Sequence, residues 1–208
     1  MRLYTITPPL WLQCWYGRGF VFDIKTDKRE VFLTFDDGPV PEATPWVLDV
    51  LKQYNVKATF FCIGKHVVEN PELYQRILAE GHAVGNHTFT HLNGFKTSLA
   101  DYIAEVEACA KVVNSKLFRP PYGKVTRLQR KYIKQHYTPI MWSVLTGDFD
   151  TTLAPDKCLA HTIKHTKSGA VVVFHDSAKA FNTLQKVLPE YLEWLLKNGY
   201  GLGVVGDE

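Results

Sequence analysis

Short apolar runs rich in β-branched and aromatic residues alternate along the chain with segments of helical periodicity. The apolar runs predict seven strands, which are Val31–Phe35, Ala58–Ile63, Ala83–Asn86, Leu117–Phe118, Thr138–Val144, Ala170–Phe174 and Gly201–Val205. The periodic segments predict six helices, which are Thr44–Tyr54, Pro71–Glu80, Ser98–Asn114, Thr126–Gln135, Pro155–Lys164 and Thr183–Asn198. This alternation predicts an α/β fold of repeated βα units, and by itself it fits both a closed barrel and an open doubly wound sheet.

The length of 208 residues suits one packed domain. The 24 basic and 21 acidic side chains are dispersed along the sequence and leave a formal net charge of +3. A nucleic-acid surface would need a concentrated basic stripe, so nucleic acid is not expected as a partner.

Four cysteines lie far apart and form no CxxC pair, so the sequence predicts buried thiols rather than a thiolate zinc cluster or a redox pair. The N-terminal stretch is interrupted by Pro8 and Pro9, and it has neither a continuous apolar core nor a small-residue cleavage site. It therefore does not resemble a secretion signal, and no run approaches the length of a transmembrane helix. We expect its aromatic residues to pack on the domain, although Trp11 and Trp15 would also suit a membrane interface.

Two adjacent carboxylates follow the first predicted strand, in the stretch LTFDDGP. Asp36 and Asp37 would repel each other unless a cation or a proton gave them different roles, which favours a metal site or acid–base chemistry. A plain turn is the simpler alternative, because Asp-Gly is a common turn pair. This motif alone leaves both interpretations open.

Two imidazoles four residues apart, His87 and His91, follow the third predicted strand. On one face of a helical turn they can hold one cation through two nitrogens, although two surface histidines would be the alternative. Asp37 would complete a set of two histidines and one carboxylate, which leaves coordination positions open for water and substrate. Such an open set is typical of a catalytic metal.

Two further motifs follow later strands. Arg119 precedes two prolines that fix an extended backbone, so the amide of Tyr122 can be held rigidly towards a substrate oxygen, unless the segment is only a stiff surface loop. His175 ends a very apolar run, where it suits proton transfer near neutral pH or is a core histidine. Because all four motifs follow different strands, the fold would bring them to one side of the molecule.

The motifs TFDDGP, HTFTH, RPPYG and FHD, in this order and spacing, resemble those of the polysaccharide deacetylases, the NodB-homology or carbohydrate esterase family 4 enzymes. The resemblance covers about Val31 to Val205. It implies a single-domain, distorted (β/α)7 TIM-like barrel, with residues 30–208 as the deacetylase domain. We expect residues 1–29, with their aromatic side chains, to form an N-terminal segment that packs on this barrel. It also implies hydrolysis of acetyl groups, N-acetyl groups above all, on chitin-like, peptidoglycan-like or related glycans.

One divalent metal ion, held by Asp37, His87 and His91, is implied by the same resemblance. Zinc is the favoured ion, and cobalt, nickel or another first-row ion is the alternative. Asp36 is then the general base, and Arg119 orients it.

The resemblance further implies that the backbone amide of Tyr122 faces the oxyanion and that His175 is the general acid. The expected carboxylate partner of His175 is Asp148, with Asp150 as the weaker alternative. The expected substrate-pocket residues are Pro121, Trp142, Phe149 and Val173. Two of these depart from the family pattern, since phenylalanine and valine stand where tryptophan and leucine are usual, and the departures bear on substrate preference more than on activity.

Three other functions are compatible with parts of this pattern. An O-acetyl esterase of the xylan type would use the same site, and a catalytically silent glycan-binding module would keep the fold without turnover. Non-haem iron oxygenases also use two histidines and a carboxylate, but Asp37 precedes the histidine pair by 50 residues and a tandem Asp36 has no role in oxygen activation. The expected partner is an acetylated carbohydrate. A cytoplasmic location is the default expectation, with association with the cell envelope as the alternative.

Overall fold

A computed structural model describes residues 5–206, in which parallel strands alternate with helices. The strands in this range are β1 Glu30–Asp36, β2 Thr59–Cys62, β3 Ala83–Asn86, β4 Leu117–Phe118, β5 Thr138–Pro139, β6 Val144–Leu145, β7 Val171–His175 and β8 Gly201–Gly203. The helices are α1 Leu10–Tyr16, α2 Thr44–Gln53, α3 Gly64–Glu69, α4 Pro71–Ala79, α5 Leu99–Ala110, α6 Arg127–His136, α7 Pro155–His165 and α8 Phe181–Lys197. Two short 3₁₀ turns cover Gly94–Lys96 and Pro121–Gly123. The predicted alternation is confirmed.

One curled parallel sheet organises the fold, with the strand order β5-β4-β3-β2-β1-β7-β6 and with β8 paired to the start of β1. The predicted distorted barrel is therefore confirmed. Val21 pairs with Ile140 beside β5, and Asp23 pairs with Ala170 before β7, so this part of the N-terminal segment spans two sides of the sheet. The division at residue 30 stays a prediction, and residues 1–4 and 207–208 of the two predicted segments lie outside the described residues.

β1 is buried on both faces, which explains its unbroken apolar run. Phe35 packs between the sheet and the helices, where its ring stacks on those of Phe60 at 5.1 Å and Phe174 at 6.0 Å. Phe32 belongs to a smaller cluster inside the barrel. Because side chains alternate along a strand, Asp36 lies on the same interior face as Phe32, at the carboxyl end of β1.

The predicted strand Thr138–Val144 is two short strands, β5 and β6, with residues 140–143 between them. The buried guanidinium of Arg119 explains the interruption, since it donates hydrogen bonds to the carbonyls of Ile140 at 3.1 Å and Met141 at 2.9 Å. These carbonyls accept hydrogen bonds from a side chain instead of from a neighbouring strand.

Two helices that the periodicity did not predict are α1, with 7 residues, and α3, with 6 residues. Both are too short to show a helical period. The outward face of α1 carries Cys14, so the prediction of four buried thiols is wrong for this residue, while Cys62, Cys109 and Cys158 are buried. Among the helices of residues 5–206, none has the length and hydropathy needed to cross a membrane.

Candidate active site

The carboxyl ends of four strands meet at one end of the barrel. β1 supplies Asp36 and is followed by Asp37, β3 is followed by His87, β4 is followed by Arg119, and β7 ends at His175. Parallel strands direct these ends to the same side of the sheet, so residues more than a hundred positions apart become neighbours. The four sequence motifs are thus brought together as predicted.

The side chains of Asp37, His87 and His91 converge on one point, with their candidate ligand atoms all within 4.8 Å of one another. Asp37 Oδ1 lies 3.3 Å from His91 Nε2 and 3.8 Å from His87 Nε2. This oxygen is buried, and within residues 5–206 it has no hydrogen-bond partner. A buried carboxylate oxygen left unpaired between two imidazole nitrogens fits a metal ion, which would satisfy all three atoms.

Both imidazoles are held in the form that binds a metal. The Nδ1–H of His87 donates to the carbonyl of Arg119 at 2.7 Å, which leaves the Nε2 lone pair facing Asp37. Burial and the neighbouring His91 lower the pKa of His87 to about 3. Burial also lowers the pKa of His91. Neutral imidazoles are available as ligands without losing a proton first.

The histidine pair does not lie on a helical turn, so that part of the sequence interpretation is wrong. Residues 87–91 form an irregular loop with left-handed backbone at Thr88 (φ 63°) and His91 (φ 62°). The Asn86 side chain accepts the Thr88 N–H at 2.9 Å, and such local side-chain bonds compete with helix formation. The two rings still lie only 5.0 Å apart.

The ligand-bearing loops also carry unfavourable backbone conformations. Asp37 has φ 83°, and Thr88 and His91 are left-handed as well. For residues other than glycine each such conformation typically costs about 1 kcal/mol or more, and it persists only where the surroundings enforce it. Strain concentrated at three positions around one point is typical of a functional site.

Asp36 is fixed by a fully buried arginine. Its Oδ1 accepts a hydrogen bond from Arg119 Nη1 at 2.6 Å, while its Oδ2 lies 3.9 Å from His87 Nε2. The same Nη1 also donates to Thr34 Oγ1 at 2.8 Å, and the guanidinium lies over the Phe61 ring at 4.0 Å. Because the guanidinium is held on several sides, Asp36 has little freedom to rotate.

His175 is paired with Asp148, and not with the alternative Asp150. Its Nδ1–H donates to Asp148 Oδ1 at 2.8 Å, and its backbone N–H donates to Asp148 Oδ2 at 2.7 Å. The carboxylate of Asp150 instead accepts the hydroxyl of Thr152 at 2.6 Å. Burial lowers the pKa of His175, but the ion pair and hydrogen bond with Asp148 outweigh it and raise the pKa to about 9.

The expected pocket residues surround this site at different depths. Tyr122 has left-handed backbone (φ 58°), and its exposed ring lies 4.6 Å from that of His91. Phe149 meets the His175 ring edge-on at 4.9 Å. Val173 shares the interior face of β7 with His175 but is fully buried, so it lies in the floor of the site.

Pro121 and Trp142 support the turn that carries Tyr122. Pro121 is buried, and a side chain added at Gly123 would come within 2.8 Å of the Trp142 ring. Gly123 has φ 64°, so both its conformation and the close approach of the indole require glycine. The turn is therefore held rigidly by its packing against the Trp142 ring.

Asp176 was not given a role from the sequence, yet it holds the loop that carries Asp37, a candidate metal ligand. Its carboxylate accepts the N–H of Gly38 at 3.0 Å and the hydroxyl of Thr44 at 2.6 Å. A Cβ atom at Gly38 would lie 1.9 Å from Asp176 Oδ2, so only glycine fits there. Burial raises the pKa of Asp176 to about 8, against the effect of the Thr44 hydrogen bond. The acidic residue directly after His175 was the available signal.

His66 is a second residue without a signal in the sequence. Its Nδ1 lies 2.7 Å from the carbonyl oxygen of Asp37. This contact from α3 fixes the backbone of Asp37, which is a candidate metal ligand with an unfavourable φ. Since α3 was not predicted, neither was this contact.

The curled parallel sheet carries one carboxylate and two imidazoles at its strand ends, and the carboxylates of Asp36 and Asp148 lie beside them. This arrangement is typical of the class of α/β-barrel hydrolases with a metal centre. Residues 23–139 match the profile of the polysaccharide deacetylase family. The chain belongs to this family. The match begins inside the predicted N-terminal segment, at residue 23.

Named relatives agree with this placement. The chain is 35% identical over 201 residues to a peptidoglycan-N-acetylglucosamine deacetylase of Bacillus cereus, covering 91% of this chain and 92% of that protein. It is 38% identical over 156 residues to a chitooligosaccharide deacetylase of Bradyrhizobium sp., covering 71% of each.

Solved structures show the same fold. The crystal structure of the Bc1960 peptidoglycan N-acetylglucosamine deacetylase in complex with 4-naphthalen-1-yl-N-oxidanyl-benzamide has a TM-score of 0.83 and 31% identity, covering 96% of this chain and 95% of that one. A carbohydrate esterase family 4 pseudoenzyme from Bacillus anthracis has a TM-score of 0.77 and 27% identity, covering 89% of this chain and 67% of that one. The fold therefore occurs in active and inactive proteins.

Proposed function

We propose that the protein hydrolyses N-acetyl groups of a carbohydrate. The observation that carries this proposal is the placement of a fixed carboxylate, Asp36, and a carboxylate-paired imidazole, His175, around one set of metal-ligand candidates. Hydrolysis of an amide needs a base for the attacking water and an acid for the leaving amine. The named substrates of the deacetylase relatives, peptidoglycan N-acetylglucosamine and chitooligosaccharide, support the N-acetyl preference.

Asp37, His87 and His91 would hold one divalent ion, and zinc is the ion we propose, because two imidazoles and one carboxylate are a common catalytic zinc set. When bound, such an ion supplies Lewis-acid polarisation of the acetyl carbonyl and a lower pKa of a bound water. The neutral state of both histidines prepares the set for binding, since protonated imidazoles would repel a cation.

Asp36 would act as the general base through a defined atom. Arg119 occupies Oδ1, so Oδ2, which points towards the ligand set, is left to accept the proton of the attacking water. Arg119 is then a positioning residue, because it acts through Asp36 and is fully buried away from substrate.

His175 would act as the general acid through Nε2. Its Nδ1–H is committed to Asp148, and the raised pKa of about 9 keeps the ring protonated at neutral pH. An amine is a poor leaving group until its nitrogen gains a proton, so an acid poised at this point suits an amide substrate more than an ester. General acid catalysis typically contributes ~10²–10⁴ in rate.

The turn at Tyr122 would offer its backbone amide to the developing oxyanion. Its φ of 58° and the packing of Gly123 against Trp142 fix the peptide in one orientation, as electrostatic stabilisation of a transition state requires. One well-placed donor is typically worth about 3 kcal/mol. Phe149 and Val173 would shape the acetyl pocket beside it.

Released acetate, measured over a panel of acetylated sugars with and without a chelator, tests this function. We expect release from N-acetylglucosamine oligomers that a chelator abolishes, and weaker release from an acetylated xylo-oligomer. Release from the xylan ester alone would make the protein an O-acetyl esterase. No release from any sugar, with the oligomers still bound, would make it a catalytically silent glycan-binding module.

A further inference from the structure

A tyrosine of the N-terminal segment contacts the turn that carries Tyr122. Tyr16 is the last residue of α1, and only 7% of its surface is exposed. Its hydroxyl donates a hydrogen bond to the carbonyl of Gly123. Residue 16 precedes residues 23–139, the stretch that matches the family profile, so this contact joins the N-terminal segment to the third sequence motif.

One further hydrogen bond connects this contact with the amide of Tyr122. The carbonyl of Gly123 and the N–H of Lys124 belong to one peptide group, and this N–H donates to the carbonyl of Pro121 at 3.0 Å. The carbonyl of Pro121 belongs in turn to the peptide group that contains the Tyr122 N–H. The hydroxyl of Tyr16 is therefore the first donor in a series of hydrogen bonds that ends at the peptide group of the Tyr122 amide.

This series of hydrogen bonds acts on the Tyr122 amide in two ways. It fixes the orientation of both peptide groups, because neither can rotate without breaking a hydrogen bond. It also polarises them, since a carbonyl that accepts a hydrogen bond makes the N–H of its own peptide group a stronger donor, by roughly 10–30% per bond. Both effects favour an N–H that must face developing negative charge.

The surroundings of Tyr16 keep its hydroxyl protonated and in one place. Burial raises the pKa of Tyr16 to about 12, against the effect of the nearby Arg130. The guanidinium of Arg130 stacks on the Trp15 ring at 3.9 Å and donates to the Trp15 carbonyl, which holds the end of α1. The Tyr16 ring lies 5.1 Å from that of Phe20 and 5.6 Å from that of Phe22. The hydroxyl is thus a fixed donor at neutral pH.

The hydroxyl is not needed to attach the N-terminal segment to the barrel. Backbone hydrogen bonds already make this connection, from the N–H of Met141 to the carbonyl of Val21 at 2.7 Å and from the N–H of Leu145 to the carbonyl of Ile6 at 2.8 Å. Phenylalanines fill neighbouring positions of the same apolar cluster. Because burying a hydroxyl costs free energy that a phenylalanine would avoid, the polar group at residue 16 indicates a role in its contact with the turn.

We propose that Tyr16 is a positioning residue for deacetylation, which holds and polarises the turn so that the Tyr122 amide stabilises the oxyanion. This inference rests on the proposed function. Tyr16 acts through the turn, so its hydroxyl should matter more in the transition state, where charge develops on the acetyl oxygen, than in binding of the uncharged acetyl group.

The test compares zinc-loaded Tyr16→Phe and Tyr102→Phe with the wild type. Tyr102 is the matched control, because it belongs to the same buried cluster and its hydroxyl has no hydrogen-bond partner within residues 5–206. We expect kcat for acetate release from an N-acetylglucosamine oligomer to fall about tenfold in Tyr16→Phe, less than the ~10²–10³ lost with a whole oxyanion donor. KM should stay within about twofold, and Tyr102→Phe should keep both constants.

A tetrahedral methylphosphonamide analogue of the substrate reports on the transition state alone. Its affinity should fall about tenfold in Tyr16→Phe, while the affinity for the unreacted oligomer, measured in a D36N background, should stay unchanged. Equal losses of kcat in Tyr16→Phe and Tyr102→Phe would overturn the inference, since any change in the cluster would then suffice. Wild-type kcat in Tyr16→Phe would overturn it while leaving N-deacetylation intact.

Amide hydrogen exchange at Lys124 separates this inference from the proposed function. The N–H of Lys124 lies in the peptide group that Tyr16 holds, so its exchange should become faster in Tyr16→Phe and not in Tyr102→Phe. A wild-type protein that releases no acetate would refute the proposed function. Faster exchange in Tyr16→Phe would then still support the hold on the turn, and unchanged exchange would overturn it.

Discussion

Replacing Asp148 by asparagine isolates the charge that holds the proton on His175. The carboxylate receives two hydrogen bonds from His175, at 2.8 Å from Nδ1 and at 2.7 Å from the backbone N–H. Burial alone lowers the pKa of this imidazole, and Asp148 supplies the main opposing effect. Asparagine keeps the size of the side chain but removes the charge.

The expected effect follows from the pKa of His175, which lies at about 9 against an ordinary value of 6.5. This difference corresponds to roughly 3 kcal/mol in favour of the imidazolium, since one pKa unit is about 1.4 kcal/mol. Without the charge the pKa should fall to 6.5 or lower, so at pH 8 the protonated fraction drops about 30-fold or more. Because the acid must be protonated, activity is lost as the pH rises through the lowered pKa.

The assay is a pH profile of acetate release from an N-acetylglucosamine oligomer. The ratio of variant to wild-type kcat should fall about 30-fold or more at pH 8 and stay within about threefold at pH 5.5. Asp150→Asn, two residues away, is the matched control and should keep the wild-type profile. Unchanged melting temperatures would show that the fold is intact. An equal loss at every pH would refute the reasoning and make Asp148 structural.

Three other substitutions separate the roles of neighbouring residues. Asp37→Ala should lose stoichiometric metal in elemental analysis, because it removes the unpaired buried oxygen of the site, and retention of the ion would move the site elsewhere. Asp36→Asn should keep the metal but lose most acetate release, since the amide cannot accept a proton. Wild-type turnover there would require another base. Asp176→Ala leaves the buried N–H of Gly38 and the hydroxyl of Thr44 without an acceptor, so urea denaturation should show about 2–4 kcal/mol of lost stability. A loss below about 0.5 kcal/mol would contradict the bracing role.

The alternation of strands and helices was predictable because each long element carries its own period. β1 and β7 are apolar on both faces, and α8 repeats its apolar positions over 17 residues. The break between β5 and β6 was not predictable, since it depends on a guanidinium that arrives from β4 and takes two carbonyls out of the sheet. Long-range contacts of this kind leave no local pattern.

The candidate site shows the same difference between features with a local sequence pattern and features set by long-range contacts. Residue types and their positions after strands were enough to bring Asp37, His87 and His91 together. The conformation of their loops was not predictable from the sequence. The left-handed backbone at His91 is imposed by surrounding contacts and not by the residue's own preference. Asp176 escaped notice for a similar reason, since its partners lie more than 130 positions away.

Under the proposed function, hydrolysis depends on one ion held by Asp37, His87 and His91. The most direct test removes all metal from the protein, adds zinc in steps, and measures acetate release from an N-acetylglucosamine oligomer after each step. We predict no release without metal, and recovery that rises linearly to a break at one zinc per chain. Full acetate release from metal-free protein, or recovery in Asp37→Ala equal to that of the wild type, would contradict the claim.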